Sequence, residues 1–460
     1  MKNYLLLFFF LISIPVAIAG TYSGGSGTMS DPYLIANEAD LNELSTTTAD
    51  WVAGIYFRQT ADITMANPLA APIGTYLGAK FEGVYDGDNH TISDLSMTLT
   101  GYGNALFGRT LATAEIKNLG LVNVSISGNL FVAGLVGYNQ GTVTNCYVDG
   151  GTITAAGSGA GGLIGTGAAG SSVSNCYATA NVNGISSVGG FIGANSGDVD
   201  QCFSTGDVTG TYSGSSIAVG SFIGAISASS GNPLTISDCF SLGNADANNT
   251  KSDGPGDVRC GGFIGSLTAT SAAATITNCY SAGVPTGTSA YGAATVQLGG
   301  FIGYTASGST LNTNNCFWDA DASMASTSYG NSETGETTAN MQTQGTFTGW
   351  DFTNVWTINN SVFPNVDYPV FAPATLGLNE IDNTDDFVMS LYPNPVTNNL
   401  NIKTNKVVSS INIYSLTGAK VMTIAPLNNT IDVSSLSIGI YILKVEFGDT
   451  SESAVKFVKQ

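Results

Sequence analysis

Three observations predict an all-β chain built mainly as a right-handed parallel β-helix. A short apolar box recurs along the chain, a second box centred on a cysteine follows each copy, and the composition is poor in charge and rich in turn residues. Only 10% of the 460 residues are charged, 43% are hydrophobic and 58 are glycine. That balance disfavours helices and favours short strands joined by glycine turns. The expected solenoid has roughly nine coils, with a short N-terminal capping helix and, after it, a small C-terminal Ig-like β-sandwich.

The first segment reads as a secretory signal over residues 1–19. Lys2 precedes an apolar run from Tyr4 to Ile14, and Ala17-Ile18-Ala19 supplies the small-x-small pattern of a cleavage site before Gly20. The run is shorter than the roughly twenty residues that a membrane span requires. No later segment is long and apolar enough, so no transmembrane span is expected after cleavage. The stretch from Asn37 to Leu44, with Asn at its start and Ala39, Leu41 and Leu44 on one side, is the expected capping helix.

The solenoid is expected over residues 20–371. Its early coils show a frame without cysteine: Thr60 to Ile63, then Phe81-Glu-Gly83 with Ile92 to Leu95, then Leu106-Phe-Gly108 with Ile116 to Leu119. From Ala133 onward the apolar box returns six times, at Gly134-Leu-Val-Gly137, Gly162-Leu-Ile-Gly165, Gly190-Phe-Ile-Gly193, Ser221-Phe-Ile-Gly224, Gly262-Phe-Ile-Gly265 and Gly300-Phe-Ile-Gly303. Each is followed by a cysteine box, around Cys146, Cys176, Cys202, Cys239, Cys279 and Cys316. The spacing between boxes varies while the boxes do not, so insertions fall in loops.

Coils stacked in register turn a repeated residue into a column. The six cysteines are expected to point inward as free thiols, because in-register parallel neighbours hold their Cβ atoms too far apart for an unstrained bridge. Cys260 stands outside the column. The Asn, Asp or Gln just before each cysteine belongs at a bend, in left-handed backbone geometry and within reach of the next coil. The residue after each cysteine then faces outward, which predicts an exposed ladder of Tyr147, Tyr177, Phe203, Phe240, Tyr280 and Phe317. Such rings can bind a sugar or a partner surface, or stack on one another under the loops. Trp318, Trp350, Phe352, Trp356 and Phe363 are expected to close the last coil.

A linker is expected over residues 372–386 and the sandwich over residues 387–460. Alternating segments begin at Leu400, Ser410, Lys420, Thr430, Gly439 and Ala454. Basic residues change density at the same place: only Lys251 and Arg259 lie between Lys117 and Lys403, whereas six lysines lie from Lys403 to the end.

The chemistry is restricted by what the chain lacks. Thirteen Lys and Arg against 33 Asp and Glu, a net charge of −20, leave no basic face for nucleic acid. His90 is the one histidine, so a two-histidine zinc motif cannot be built. An Asp-based hydrolase would have to use a pair such as Asp86 and Asp88, and a uronate lyase finds only Lys251 and Arg259 in the repeats. The stretch from Asp86 fails as a calcium loop, having Thr91 and Met97 where Gly and Glu belong. No catalytic residue, metal site or cofactor is expected.

These motifs carry two resemblances. The units from Gly134 to Phe317 resemble the GLUG-motif repeats of bacterial adhesin-like surface proteins, and the match extends to Phe81–Ile92 before them and to Phe317-Trp-Asp319 and Thr338–Met341 after them. The last 75 or so residues resemble the C-terminal sorting domain of the type IX secretion system of Bacteroidota, through Tyr392, Pro393, Asn394 and Pro395, the Gly418 turn, Gly439 and Tyr441, and the terminal Lys456 and Lys459. The resemblance implies export through the inner membrane and then, by the type IX machinery, to the outer surface or medium. It implies adhesion or binding of an extracellular ligand, such as a glycan or a host or neighbouring cell surface. A polysaccharide-active β-helix enzyme and an inert surface spacer are the alternatives.

Overall fold

The computed structural model describes residues 20–372 and 389–459, except 229–230, 270–272, 359–361, 363, 365, 393–395, 405–407, 416–419, 425–429, 438 and 448–451. The signal segment therefore lies outside the described residues, as does the linker except for Ala372. The chain divides into two compact units, Met1–Pro373 and Ala374–Gln460.

The first unit is a parallel β-helix. One coil shows the frame: strands Val132–Ala133, Val136–Asn139, Thr142–Thr144 and Tyr147–Ala155 follow one another. Each pairs in parallel with its counterpart in the next coil, at Val132↔Ala160, Val136↔Ile164, Val143↔Val173 and Tyr147↔Tyr177. One face is a 10-stranded sheet running from Tyr33–Ile35 to Leu311–Asn314, and another is a 15-stranded sheet to which most coils give two strands. Ten strands at about 4.8 Å spacing make a stack about 43 Å long.

The bends follow the residue types. Asn118, Asn145, Asn175, Gln201, Asp238, Asn278 and Asn315 all hold left-handed φ values between 49° and 54°, a conformation that short polar side chains tolerate. Their side chains also link coils: Asn145 Nδ2 donates to Asn118 Oδ1 at 3.1 Å, and Asn278 Nδ2 donates to Asp238 Oδ1 at 3.2 Å.

Immediately after this bend lies the cysteine column. All six thiols are buried and unbridged, and each Sγ donates to the carbonyl two residues earlier at 3.0 to 3.4 Å. A small weak donor thus satisfies a carbonyl turned inward at the corner. Cys260 is buried and unbridged as well, its Sγ donating to Ala245 O at 3.3 Å. Burial pushes the Cys146, Cys176, Cys239, Cys260 and Cys316 thiols up, away from the reactive thiolate.

A second interior column comes from the apolar box. Leu135, Leu163, Phe191, Phe222, Phe263 and Phe301 are fully buried, and the phenylalanine rings stack at 4.9, 4.7 and 4.6 Å. The first box glycine is needed for close approach, since a Cβ on Gly162 would lie 2.2 Å from the Gly190 carbonyl oxygen of the next coil. A third column was not singled out by sequence: Ser204, Ser241 and Ser281 are fully buried. Their hydroxyls cross the interior to donate to the carbonyls of Ser221, Gly262 and Gly300, each at 2.7 Å.

Both ends of the stack are covered. The helix Glu38–Thr46 is capped by Asn37, whose Oδ1 accepts from the amides of Ala39 and Asp40, and it buries Leu41 and Leu44 in the solenoid core. At the other end Thr334–Glu336 pairs in parallel with Phe317–Asp319, and Trp318 is buried with its indole donating to Ala325 O at 3.2 Å.

The second unit is a small antiparallel β-sandwich. One sheet holds Met389–Tyr392, Asn399–Thr404 and Thr430–Asp432; the other holds Lys420–Ile424, Val408–Ser415, Gly439–Phe447 and Glu452–Lys459. Its core includes Leu400, Ile402, Ile411, Ile413, Leu443 and Phe457. Alternation along each strand places these residues on the inner faces.

Candidate functional site

The aromatic ladder forms, but most of it is closed. Tyr147, Tyr177, Phe203, Phe240 and Tyr280 stack in sequence at 4.9, 4.9, 4.7 and 5.2 Å with nearly parallel planes. The expectation that all six rings are open to solvent is corrected. Phe203 is buried, and Phe240 and Tyr280 are 0% exposed. The chain after the last coil turns back along this face and lays Met341, Phe347, Trp350, Trp356 and Val370 on the rings. A flat apolar strip of this size is stabilised more by a covering segment than by water.

Polar contacts lock the cover in place. Tyr280 Oη donates to Pro369 O at 2.7 Å, Trp350 Nε1 donates to Asn315 O at 3.1 Å, and Trp356 Nε1 donates to Asp238 Oδ1 at 3.0 Å. Trp350, Phe352 and Trp356 therefore seal a lateral face and do not close the last coil; Trp318 closes it, and Phe363 lies outside the described residues. Phe317 is half-buried, edge-on to Phe347 at 5.2 Å. Tyr147 and Tyr177, at the far end of the ladder, are also half-buried, with Tyr177 packed on the margin of the seal.

A different aromatic cluster, half-buried at Tyr76, Arg109, Phe131 and Tyr138 and exposed at Tyr102, was missed by sequence reading. Arg109 lies with its guanidinium carbon 5.0 Å from the ring centres of both Tyr76 and Tyr138. Phe131 stands 4.9 Å from Tyr76 and 5.5 Å from Tyr138, and the exposed Tyr102 is 5.8 Å from Tyr76. Arg109 donates to Gln140 Oε1 from Nε at 3.1 Å and from Nη2 at 2.9 Å. Among the described residues the ion pairs are Lys117–Glu115 at 2.8 Å and His90–Asp62 at 3.2 Å, so Arg109 has no carboxylate partner there.

Phe131 also carries backbone strain, with φ of 57° at the position that Gly159 occupies in the next coil with φ of 83°. A bulky residue in that region costs on the order of 1–3 kcal/mol. The signal available in the sequence was a ring standing where the following unit has glycine.

Asp86, one of the two carboxylates considered for catalysis, organises its own turn and the next coil. Asp86 Oδ1 accepts from the Asp88 amide and from Asn118 Nδ2, both at 2.9 Å, as in a turn. Asp62 is held below the usual carboxylate range, first by the Thr91 amide and also by His90. Among the described residues no helix is long and apolar enough to cross a membrane.

In the second unit Tyr392 pairs with Asn401, and Gly439 pairs with Lys459 across neighbouring strands. Tyr441 stacks on Phe457 at 5.7 Å and donates to Ser437 O at 3.0 Å; Lys459 is buried, and Lys456 pairs with Ile442. Pro393, Asn394, Pro395 and Gly418 lie outside the described residues.

Comparison with known proteins agrees with both units. The profile of the secretion system C-terminal sorting domain matches residues 390–460, and that of the GLUG motif matches residues 128–154 and 184–209. The chain is similar to Halomucin of Haloquadratum walsbyi, 31% identical over 199 residues, a match covering 40% of this chain. The match spans only 2% of that protein's length. Among solved structures, that of a candidate immunoglobulin A1 protease from Bacteroides ovatus superposes with a TM-score of 0.49 and 21% identity, covering 76% of this chain and 95% of the other. Two stretches of the first unit thus match the GLUG motif, and nearly all of the second unit matches the secretion system C-terminal sorting domain.

Proposed function

We propose that the solenoid is a non-catalytic binding module, presented on the cell surface or released, that takes an extracellular glycan and so mediates adhesion. The sorting domain supports the destination, because it directs export to the cell surface or extracellular space by the type IX machinery. Residues 1–19 would take the chain across the inner membrane first. The observation that carries the binding reading is the partly exposed cluster of Tyr76, Tyr102, Phe131 and Tyr138 around Arg109. Rings with accessible faces stack on sugar rings, and a guanidinium held beside them hydrogen-bonds to sugar substituents.

Glycan-array binding by the purified full chain tests the proposal. Selective retention of saccharides, reduced by Tyr138→Ala, is the expected result. Absence of retention on any saccharide surface contradicts it and favours an inert spacer, and release of reducing or unsaturated sugars favours an enzyme.

A further inference from the structure

The chain contains three arginines, Arg58, Arg109 and Arg259. Two of them lie against tyrosine rings, Arg109 and Arg259 standing on two different sheets of the solenoid. Arg259 stands 3.9 Å above the centre of Tyr304, while Arg109 stands beside Tyr76 and Tyr138. Neither has a carboxylate partner among the described residues, and the Nε of Arg259 is buried without any hydrogen-bond partner.

Register connects the two pairs. Tyr138 pairs with Thr166, Thr166 with Ala194, Ala194 with Ala225, and Ala225 with Ser266. Tyr304 follows in the next coil, its carbonyl accepting from the Leu267 amide at 2.8 Å. Alongside runs a second row in which Ser187 pairs with Ala218 and Ala218 with Arg259. Between the aromatic ends the side chains are small, and Thr166, Ala194, Ala225 and Ser266 are all partly open. Five coil steps of about 4.8 Å place Tyr138 and Tyr304 about 24 Å apart.

We infer that this strip binds an acidic polysaccharide laid along the coil stack, with its carboxylate or sulfate groups held by Arg109 and Arg259 at the two ends. The inference rests on the glycan-binding reading and adds the charge, direction and minimum length of the ligand. Charge is the main argument. In a chain of net charge −20, two guanidiniums without acidic partners among the described residues, on neighbouring rows of the coil stack, form a local site for an anion. Stacking on tyrosine fixes each guanidinium plane; of the five N–H groups of Arg109, Gln140 Oε1 takes two and Tyr76 O takes one, which leaves two on the terminal nitrogens for an oxyanion. The small floor lets a chain lie flat between the rings.

The test uses the full exported chain with polygalacturonate, dextran sulfate and neutral dextran as probes, followed by oligogalacturonates of increasing length. Binding to polygalacturonate or dextran sulfate is expected, weakening as salt rises, and the better probe identifies the anion. Arg109→Gln and Arg259→Gln should each reduce affinity about tenfold, and the Arg→Lys variants by less. Oligomers too short to reach both ends should lose sensitivity to one of the two substitutions. Unchanged melting of each variant keeps folding separate from binding. Equal binding of neutral dextran, unaffected by either glutamine variant, would overturn the acidic-ligand inference while leaving glycan binding intact. Failure to bind any of the three probes would overturn both.

Discussion

The Trp356 indole donates to the Asp238 carboxylate at 3.0 Å, joining residues 118 positions apart. Asp238 holds one of the left-handed bends, with φ of 49°, and also accepts from Asn278 in the next coil. The contact ties the covering segment to the repeat at its most regular feature, and it explains why that segment lies along the ladder.

Loss of the Trp356 ring should open this face. Trp356→Ala removes a fully buried side chain in contact with Phe240, Tyr280 and Phe371. A destabilisation of about 3–5 kcal/mol is expected for the covering segment. Tyr280→Phe, which removes only the hydrogen bond to Pro369, should cost about 1 kcal/mol. Hydrogen exchange across Trp356–Ile358 and Pro369–Phe371 measures both; unchanged protection in Trp356→Ala would show that the seal is held elsewhere.

Burial of the same carboxylate makes stability depend on pH. Burial raises the Asp238 pKa above its usual value, an effect only partly offset by the Trp356 and Asn278 hydrogen bonds. The folded state therefore holds this proton more tightly than the unfolded chain. Its contribution is present in full below the unfolded carboxyl pKa of about 3.9 and is lost as pH rises through the higher folded value. Asp238→Asn retains an acceptor for the indole and removes that loss. The variant's stability relative to the parent should increase as pH rises from 4 to 7, measured by chemical denaturation; a constant difference would contradict the assignment.

Glycine substitutions should separate close packing from turn preference. Gly162→Ala places a methyl 2.2 Å from the Gly190 carbonyl and should abolish folding of the coil or cost more than about 3 kcal/mol. Gly170 has φ of 81° with open space around it, so Gly170→Ala should cost only about 1 kcal/mol, through the backbone alone. Similar losses in thermal melts would argue against coil-to-coil contact as the reason for the box.

Residue identity repeated in register was readable in the sequence because each column follows from local rules. Asn145 to Asn315 mark left-handed bends, Cys146 to Cys316 fill the corner behind them, and Phe191 to Phe301 stack in the interior. What does not repeat was harder to place. Residues 338–371 have no counterpart in other coils, so nothing local indicates whether Trp350 and Trp356 cover an end or a side. Tyr76 and Arg109 meet because Ile73 bridges to Phe107 and a turn follows at Thr75, in a coil whose sequence lacks the repeated boxes. The serine column was legible in principle, since Ser204, Ser241 and Ser281 recur two residues after successive cysteines.

Export should depend on the second unit. Deleting residues 387–460 should retain the solenoid inside the outer membrane of a type IX-competent cell, detected by fractionation and immunoblotting. Undiminished surface display of the truncated chain would assign sorting to another segment.

Counting accessible thiols probes the stacked interior most directly. In the folded protein none of the seven cysteines should react with a thiol reagent within the time that an unfolded control needs for completion, and all seven should react in denaturant without prior reduction. Rapid labelling of any of Cys146, Cys176, Cys202, Cys239, Cys279 or Cys316 in the native state, or a disulfide mass among them, would contradict a buried column of free thiols.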